Sequence, residues 1–168
     1  MERLLIQNIG LLATPAGHEA RRGPAQGEIS MTKNAWLLAE DGVIAASGTG
    51  APPDCGAAKV LDAQGCLVTP GLVDAHTHLI FGGWRQNELG LKLHGVSYLE
   101  ILARGGGILS TVEATRAASE ETLVQKALPE LETMLRWGTT TCEIKSGYGL
   151  ATEQERKQLR AIRRLRPL

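Results

Sequence analysis

The sequence predicts an α/β chain, with a β-rich module over residues 1–68 followed by alternating strand and helix over residues 69–168, the order that builds a parallel sheet. Three observations predict it. Short apolar segments of strand length, set between turn residues, fill the first part. An apolar strand after Pro70-Gly71 ends in His76-Thr77-His78. Beyond that strand the apolar spacing becomes helical, returns to a β-rich run and becomes helical again.

In the first part, strands are expected over residues 4–9, 29–38, 43–46 and 59–62. The punctuation between them is turn chemistry: Gly23-Pro24, Asp41-Gly42, Gly48-Thr49-Gly50 and Pro52-Pro53. Residues 14–26, with two prolines, two glycines and charge, read as an exposed loop.

After His78 an irregular insertion is expected. Ser97-Tyr98-Leu99-Glu100 has the spacing of a capping box before a short helix that Gly105-Gly106-Gly107 stops. Ser119 opens a longer helix with Leu123, Val124, Ala127, Leu128, Leu131, Met134 and Leu135 on one face and Gly138 as the closing residue. Pro129 inside that pattern should kink or break it. Residues 139–144 are β-rich and feed the turn Ser146-Gly147-Tyr148-Gly149. Thr152 with Glu155 has capping-box spacing for a last helix, with Leu159, Ile162 and Leu165 as its apolar stripe before Pro167.

Residues 69–168 thus hold two strand-helix units, whereas a closed eight-stranded α/β barrel takes eight and typically ~250 residues. Two units alone leave sheet edges and helix faces uncovered.

The bulk composition narrows function. The 168 residues carry 18 basic and 18 acidic side chains and 43% hydrophobic residues, the profile of a globular chain. A formal net charge of zero implies no basic face, so neither nucleic acid nor an anionic membrane is an expected partner. Arg156, Arg160, Arg163, Arg164 and Arg166 read as the solvated side and C-terminal end of the last helix, where positive charge suits the dipole. No apolar stretch approaches the ~20 residues that span a bilayer, and polar residues interrupt the N-terminus too soon for a secretory signal, so a cytoplasmic location is expected. Cys55, Cys66 and Cys142 fit neither a disulfide framework nor a zinc pair and read as free, buried thiols.

The chemistry centres on His76 and His78. Residues two apart on a strand project from one face, so both imidazoles can reach one cation. A structural His-x-His pair is the competing reading, and the spacing alone leaves the two open. The following glycine-rich excursion favours a ligand pair at a barrel mouth.

The string Pro70-Gly71-Leu72-Val73-Asp74-Ala75-His76-Thr77-His78 resembles the first barrel strand of the amidohydrolase superfamily, metal-dependent hydrolases with a small β-sandwich beside a (β/α)₈ barrel. Three further blocks resemble the imidazolonepropionase family within it: Phe81-Gly82-Gly83-Trp84-Arg85-Gln86-Asn87-Glu88, the run from Ala103 through Gly105-Gly106-Gly107 to Arg116, and Glu143-Ile144-Lys145-Ser146-Gly147-Tyr148-Gly149-Leu150. Trp84 departs from the pattern, which has an acidic residue there.

The resemblance implies a fold class: the N-terminal part of an amidohydrolase-type TIM barrel, incomplete in this chain, with an N-terminal β-sandwich module over 1–68. It also implies hydrolysis of the cyclic amide 4-imidazolone-5-propanoate to N-formimidoyl-L-glutamate in histidine degradation. One zinc or iron ion would be bound by His76 and His78, with Arg85 and Tyr148 binding substrate and a homodimer for the complete enzyme. Arg85 suits a propanoate carboxylate through its fork of donors.

Lys145 reads as a structural cation rather than a carboxylated metal bridge. Glu88 and Glu143 read as solvated charges, with support of Arg85 or Lys145 as the alternative. His18 and His94 read as surface or loop histidines. The family's third histidine ligand and catalytic aspartate have no counterpart here, since no histidine or aspartate follows Tyr148. The chain alone is therefore expected to be inactive. The alternatives are another deaminase or cyclic-amide hydrolase of the superfamily, and a non-catalytic fragment that needs its missing half.

Overall fold

The computed structural model describes residues 2–166 except Ala16 and His18, so the readings of His18 and Pro167 lie outside the described residues. The chain divides into two compact units, Met1–Pro70 and Gly71–Leu168.

The first unit is one five-stranded sheet. Its strands are β1 (Arg3–Pro15), β2 (Ile29–Glu40), β3 (Val43–Thr49), β4 (Lys59–Asp62) and β5 (Leu67–Val68). They run in the order β3-β2-β1-β4, with β5 pairing further along β1. The β2-β3 hairpin turns on Asp41-Gly42, both at positive φ (48° and 81°), the pairing a two-residue turn between twisted strands requires. Leu5, Leu38 and Cys55 form one buried cluster, and Ile9, Leu12 and Ala35 another.

Two expectations change here. Thr14 and Pro15 belong to β1, paired to Ser30 and Ile29, and Gly23–Gly27 winds into a 3₁₀ turn, so the loop is shorter than residues 14–26. A sandwich needs two sheets, and the described residues form one in this unit. Ile29, Met31, Val43, Ile44, Val60, Leu61 and Leu67 are each more than half exposed on it.

The second unit begins with β6 (Leu72–Thr77). Then come α1 (Glu88–Leu93), α2 (Tyr98–Ala103), α3 (Ile108–Ala117), α4 (Glu120–Arg136), β7 (Thr139–Ile144) and α5 (Thr152–Arg164). β6 and β7 pair in parallel, as consecutive strands of a βα repeat do. Two helix starts follow directly from the sequence. Ser97 Oγ accepts from Glu100 N (3.2 Å) and Ser119 Oγ from Thr122 N (3.0 Å), satisfying orphan donors of the first turn. Gly138, at φ 91°, closes α4 as a residue with a side chain could not without strain.

The insertion is more regular than expected, because α3 buries Thr111, Val112 and Thr115. Two of those three are polar, which hides the helical period from a hydrophobicity pattern. Pro129 does not break α4. Its ring removes the one N–H that would reach Gln125 O, and Leu128 and Leu131 to either side pack against the core, holding the helix across the gap.

The core of this unit is Ile80, Leu123, Val124, Ala127, Ala161 and Leu165, which joins α4, α5 and the segment after β6. Each fully buried aliphatic of this size contributes about 1.5–3 kcal/mol. On α5 the buried face is Gln158, Ala161 and Leu165 with Ile162 beside them, while Leu159 is about half exposed and lies off the expected stripe. The arginines of α5 are solvated, as expected, but Arg160 and Arg164 reach across to Glu120 and Glu121 at the start of α4. Leu72 and Val73 of β6 are more than half exposed, although parallel strands are ordinarily covered on both faces. No helix among the described residues is long and apolar enough to cross a membrane.

Pro129 is exposed and its missing hydrogen bond is not offset, so Pro129→Ala is expected to stabilise this unit by about 1–3 kcal/mol, seen as a higher denaturation midpoint in urea. A lower midpoint would mean that the ring makes packing contacts that α4 needs.

Candidate active site

Parallel strands deliver the loops that follow them to one end of the sheet, and β6 and β7 do this with the residues of interest. His76 lies near the end of β6 and His78 just past it. Between Asp74↔Cys142 and Thr77↔Ile144 the register slips by one residue, so β6 carries a bulge at the first histidine. Asp74 Oδ1 accepts from His76 N (3.2 Å) and holds that bulge, a local bond to which aspartate is suited. Thr77, on the other side, donates its hydroxyl to Glu143 O (2.7 Å) and ties the two strands.

The imidazoles of His76 and His78 lie edge to face, with ring centroids 5.5 Å apart. With metal–nitrogen bonds of about 2.1 Å and near-tetrahedral angles, two imidazoles on one ion have centroids about 5 Å apart. The spacing of the pair is one that a shared metal allows. His78 Nδ1 is also buried without a hydrogen-bond partner, against Gly147, where an added Cβ would lie 3.0 Å from that nitrogen. Two donors are half of a coordination sphere. Among the described residues no group of three or more His, Cys, Asp or Glu side chains is placed to hold a metal ion.

Tyr148 joins this pair from the loop after β7. Its ring centroid is 5.3 Å from that of His78 and 5.9 Å from that of Phe81. Phe81 in turn packs edge-on against Trp84 (4.9 Å). Lys126 of α4 places its ammonium 3.4 Å from the Phe81 centroid and 4.5 Å from that of Trp84, and donates to Phe81 O (2.9 Å). Burial pushes the Lys126 ammonium below its usual range, with Glu130 opposing. Trp84 thus shares an aromatic seat for a cation, a role that no single-residue motif announced.

Arg85 is tied to Glu88, with 3.5 Å between Nη1 and Oε2. Glu88 is 5% exposed, which corrects its reading as a solvated charge. Its Oε1 accepts from Gly107 N (2.6 Å), so one carboxylate fastens both the arginine and the triple-glycine segment. The glycines before Arg85 serve close packing. A Cβ on Gly82 would lie 2.4 Å from Ala114 O and 2.7 Å from Thr115 N, and Gly82 N donates to Thr115 Oγ1 (2.8 Å). Only glycine lets this loop press so near the backbone of α3.

Glu143 and Lys145 form an ion pair 3.6 Å apart, each side chain about half exposed. Lys145 N donates to Thr77 O (2.9 Å), which extends the β6-β7 ladder. His94 is exposed and closes α1, its Nδ1 within 2.7 Å of Gly90 O. Of the thiols, Cys55 is buried, Cys142 half-buried and Cys66 exposed, so burial does not hold for all three. Burial, with Asp74 adding to it, pushes the Cys142 thiol above its usual range and keeps it protonated.

The last helix departs from its expected cap. Ala151, not Thr152, is the N-cap, and no side chain caps there. Glu155 reaches further back, its Oε1 accepting from Gly149 N and Leu150 N (both 2.7 Å). Burial raises the Glu155 carboxyl, but donors from Ser146, Leu150, Gly149 and Gly147 outweigh it and leave it below the usual carboxylate range. Its stabilising contribution is therefore complete above the ordinary glutamate range and is lost as the pH falls through the lowered value. Nothing in the spacing distinguished this contact from a capping box.

Known proteins resemble this chain in sequence and in fold. The Amidohydrolase family matches residues 59–140. Among curated relatives, imidazolonepropionase of Caldanaerobacter subterraneus subsp. tengcongensis is 49% identical over 98% of this chain and 40% of its own length. That of Bacillus velezensis is 50% identical over 96% of this chain and 38% of its own. Guanine deaminase of E. coli shares the fold, with a TM-score of 0.60 at 16% identity over 98% of this chain and 34% of that one. Over residues 59–140 the chain is similar to the amidohydrolase family. Within it, the sequences to which it is similar across nearly its whole length are imidazolonepropionases, and it spans about two fifths of their length.

Removing the Glu88 carboxylate frees Gly107 N–H and Arg85 together, so Glu88→Ala is expected to cost about 1–3 kcal/mol in urea denaturation, and Glu88→Gln, which still accepts from Gly107, clearly less. Equal midpoints for both variants and the parent would show that the carboxylate holds neither.

Proposed function

We propose that the whole protein to which these residues belong hydrolyses the cyclic amide of 4-imidazolone-5-propanoate to N-formimidoyl-L-glutamate, as a cytoplasmic, homodimeric enzyme of histidine degradation. The observation that carries the reading is identity of about half to imidazolonepropionases over nearly the entire chain, with His76, His78 and Tyr148 gathered at one end of β6 and β7. The zero net charge supports a small-molecule substrate over nucleic acid or an anionic membrane.

His76 and His78 would hold one zinc or iron ion, which when bound activates a water and polarises the ring carbonyl. Arg85 binds the propanoate, its approach set by the Glu88 pair and the Gly82 contact with α3. Tyr148 packs its ring against His78, and its hydroxyl would meet substrate. The third ligand and the proton-handling aspartate come from strands outside these 168 residues. Those strands would cover the exposed faces of β6 and β7 and complete the barrel. Further strands would cover exposed apolar residues of the first sheet and complete a sandwich with residues 1–68.

Three outcomes are expected. The 168-residue chain supplied with zinc or iron shows no turnover of imidazolone propanoate, and measurable hydrolysis would disprove the division of the site. In the whole protein, Arg85→Ala raises KM for the propanoate-bearing substrate by about 10–100-fold, the worth of a charge-assisted pair, with a smaller change in kcat. An unchanged KM would remove Arg85 from carboxylate binding and favour another deaminase or cyclic-amide hydrolase of the superfamily. His76→Ala loses the bound metal by elemental analysis, and full retention would contradict its role as a ligand.

A further inference from the structure

We propose that Glu155 is a positioning residue for Tyr148, fixing the loop of residues 146–150 so that the tyrosine ring stays against His78. The role of Tyr148 toward substrate rests on the function proposed above, whereas the hold of Glu155 on the loop does not.

Four observations carry it. Glu155 Oε1 takes two consecutive N–H groups, Gly149 and Leu150, each at 2.7 Å, both ahead of the helix on which Glu155 stands. The opposite side of the same turn is held by Arg116 of α3, whose Nε donates to Gly149 O (2.7 Å). Gln158 is fully buried one turn along α5, and its amide, assigned the orientation that satisfies both ends, sets nitrogen 3.0 Å from Ile80 O and oxygen 2.9 Å from Gly149 N, linking this turn to the segment two residues past His78. The backbone here also resists its own conformation. Leu150 has φ 50°, and a Cβ on Gly149 would lie 2.7 Å from Gln154 C and Glu155 N. A left-handed leucine persists only where its surroundings over-determine it, and the paired N–H groups on Glu155 do so.

A plain helix cap would serve the first-turn donors of α5. Here the backbone N–H groups of Gln154 and Glu155 go to Ala151 O, and Oε1 of the carboxylate is directed at the loop. Tyr148 is the residue immediately before the clamped Gly149 peptide. Its distance to His78 is therefore set by a carboxylate seven residues away in sequence.

The test uses the whole protein with Glu155→Ala and Glu155→Gln, the second keeping an acceptor oxygen in place. Hydrogen exchange at the Gly149 and Leu150 amides is expected to quicken by about 10–100-fold in Glu155→Ala and far less in Glu155→Gln, with β1 unaffected. With 4-imidazolone-5-propanoate as probe, Glu155→Ala lowers kcat/KM by about tenfold or more at unchanged metal content, Glu155→Gln restores most of it, and Glu155→Ala adds less than about twofold once Tyr148→Ala is present. Unchanged exchange at the two amides overturns the proposal whatever the activity. So does a Glu155→Ala effect that multiplies fully with that of Tyr148→Ala. A parent protein that exchanges as expected but shows no turnover overturns the proposed function alone.

Discussion

The parallel pairing of β6 with β7 is the constraint on which the candidate site depends. His76 and His78 are about seventy residues from Tyr148 in sequence, yet parallel strands send the segments that follow them out at the same end. An antiparallel pair would send them to opposite ends. Everything else in the second unit defends this arrangement: the Thr77 and Lys145 bonds lock the two strands, the bulge at Asp74 aims the first histidine, and α4 and α5 pack on the segment that continues from β6.

Around that pairing the polar contacts are spent on loops rather than on regular structure. Lys157 donates to Thr115 O, Arg116 O and Ala118 O and so satisfies the open carbonyls at the end of α3. Arg116 and Gln158 hold the Gly149 turn, Glu88 holds Gly107 and Arg85, and Thr115 holds Gly82. Glu88, Thr115 and Gln158 are buried and Lys157 is half-buried, where an unpaired polar atom is costly, so these contacts fix the loops that carry Arg85 and Tyr148.

Much of this was legible in the sequence where the cause is local. Asp41-Gly42 determined a hairpin, Ser97 and Ser119 determined helix starts, Gly138 a helix end, and the two-residue spacing of His76 and His78 their common face. Where the cause is a distant partner, the sequence misled. The partners of Gln158, Ile80 and Gly149, are brought to it only by tertiary packing, so apolar spacing includes Leu159 in the stripe of α5 and passes over the buried glutamine. Glu155 has the spacing of a cap but serves a loop, Glu88 has the composition of a solvated charge but is buried by the fold, and the threonines of α3 conceal its inward face.

The central claim is that His76 and His78 are two ligands of one hydrolytic metal ion. Anomalous diffraction at the metal edge from crystals of the whole protein addresses it most directly. One peak within about 2.0–2.2 Å of a nitrogen of each histidine is the predicted result. A catalytically active crystal form whose metal sits away from both imidazoles, or binds only one of them, would contradict the account.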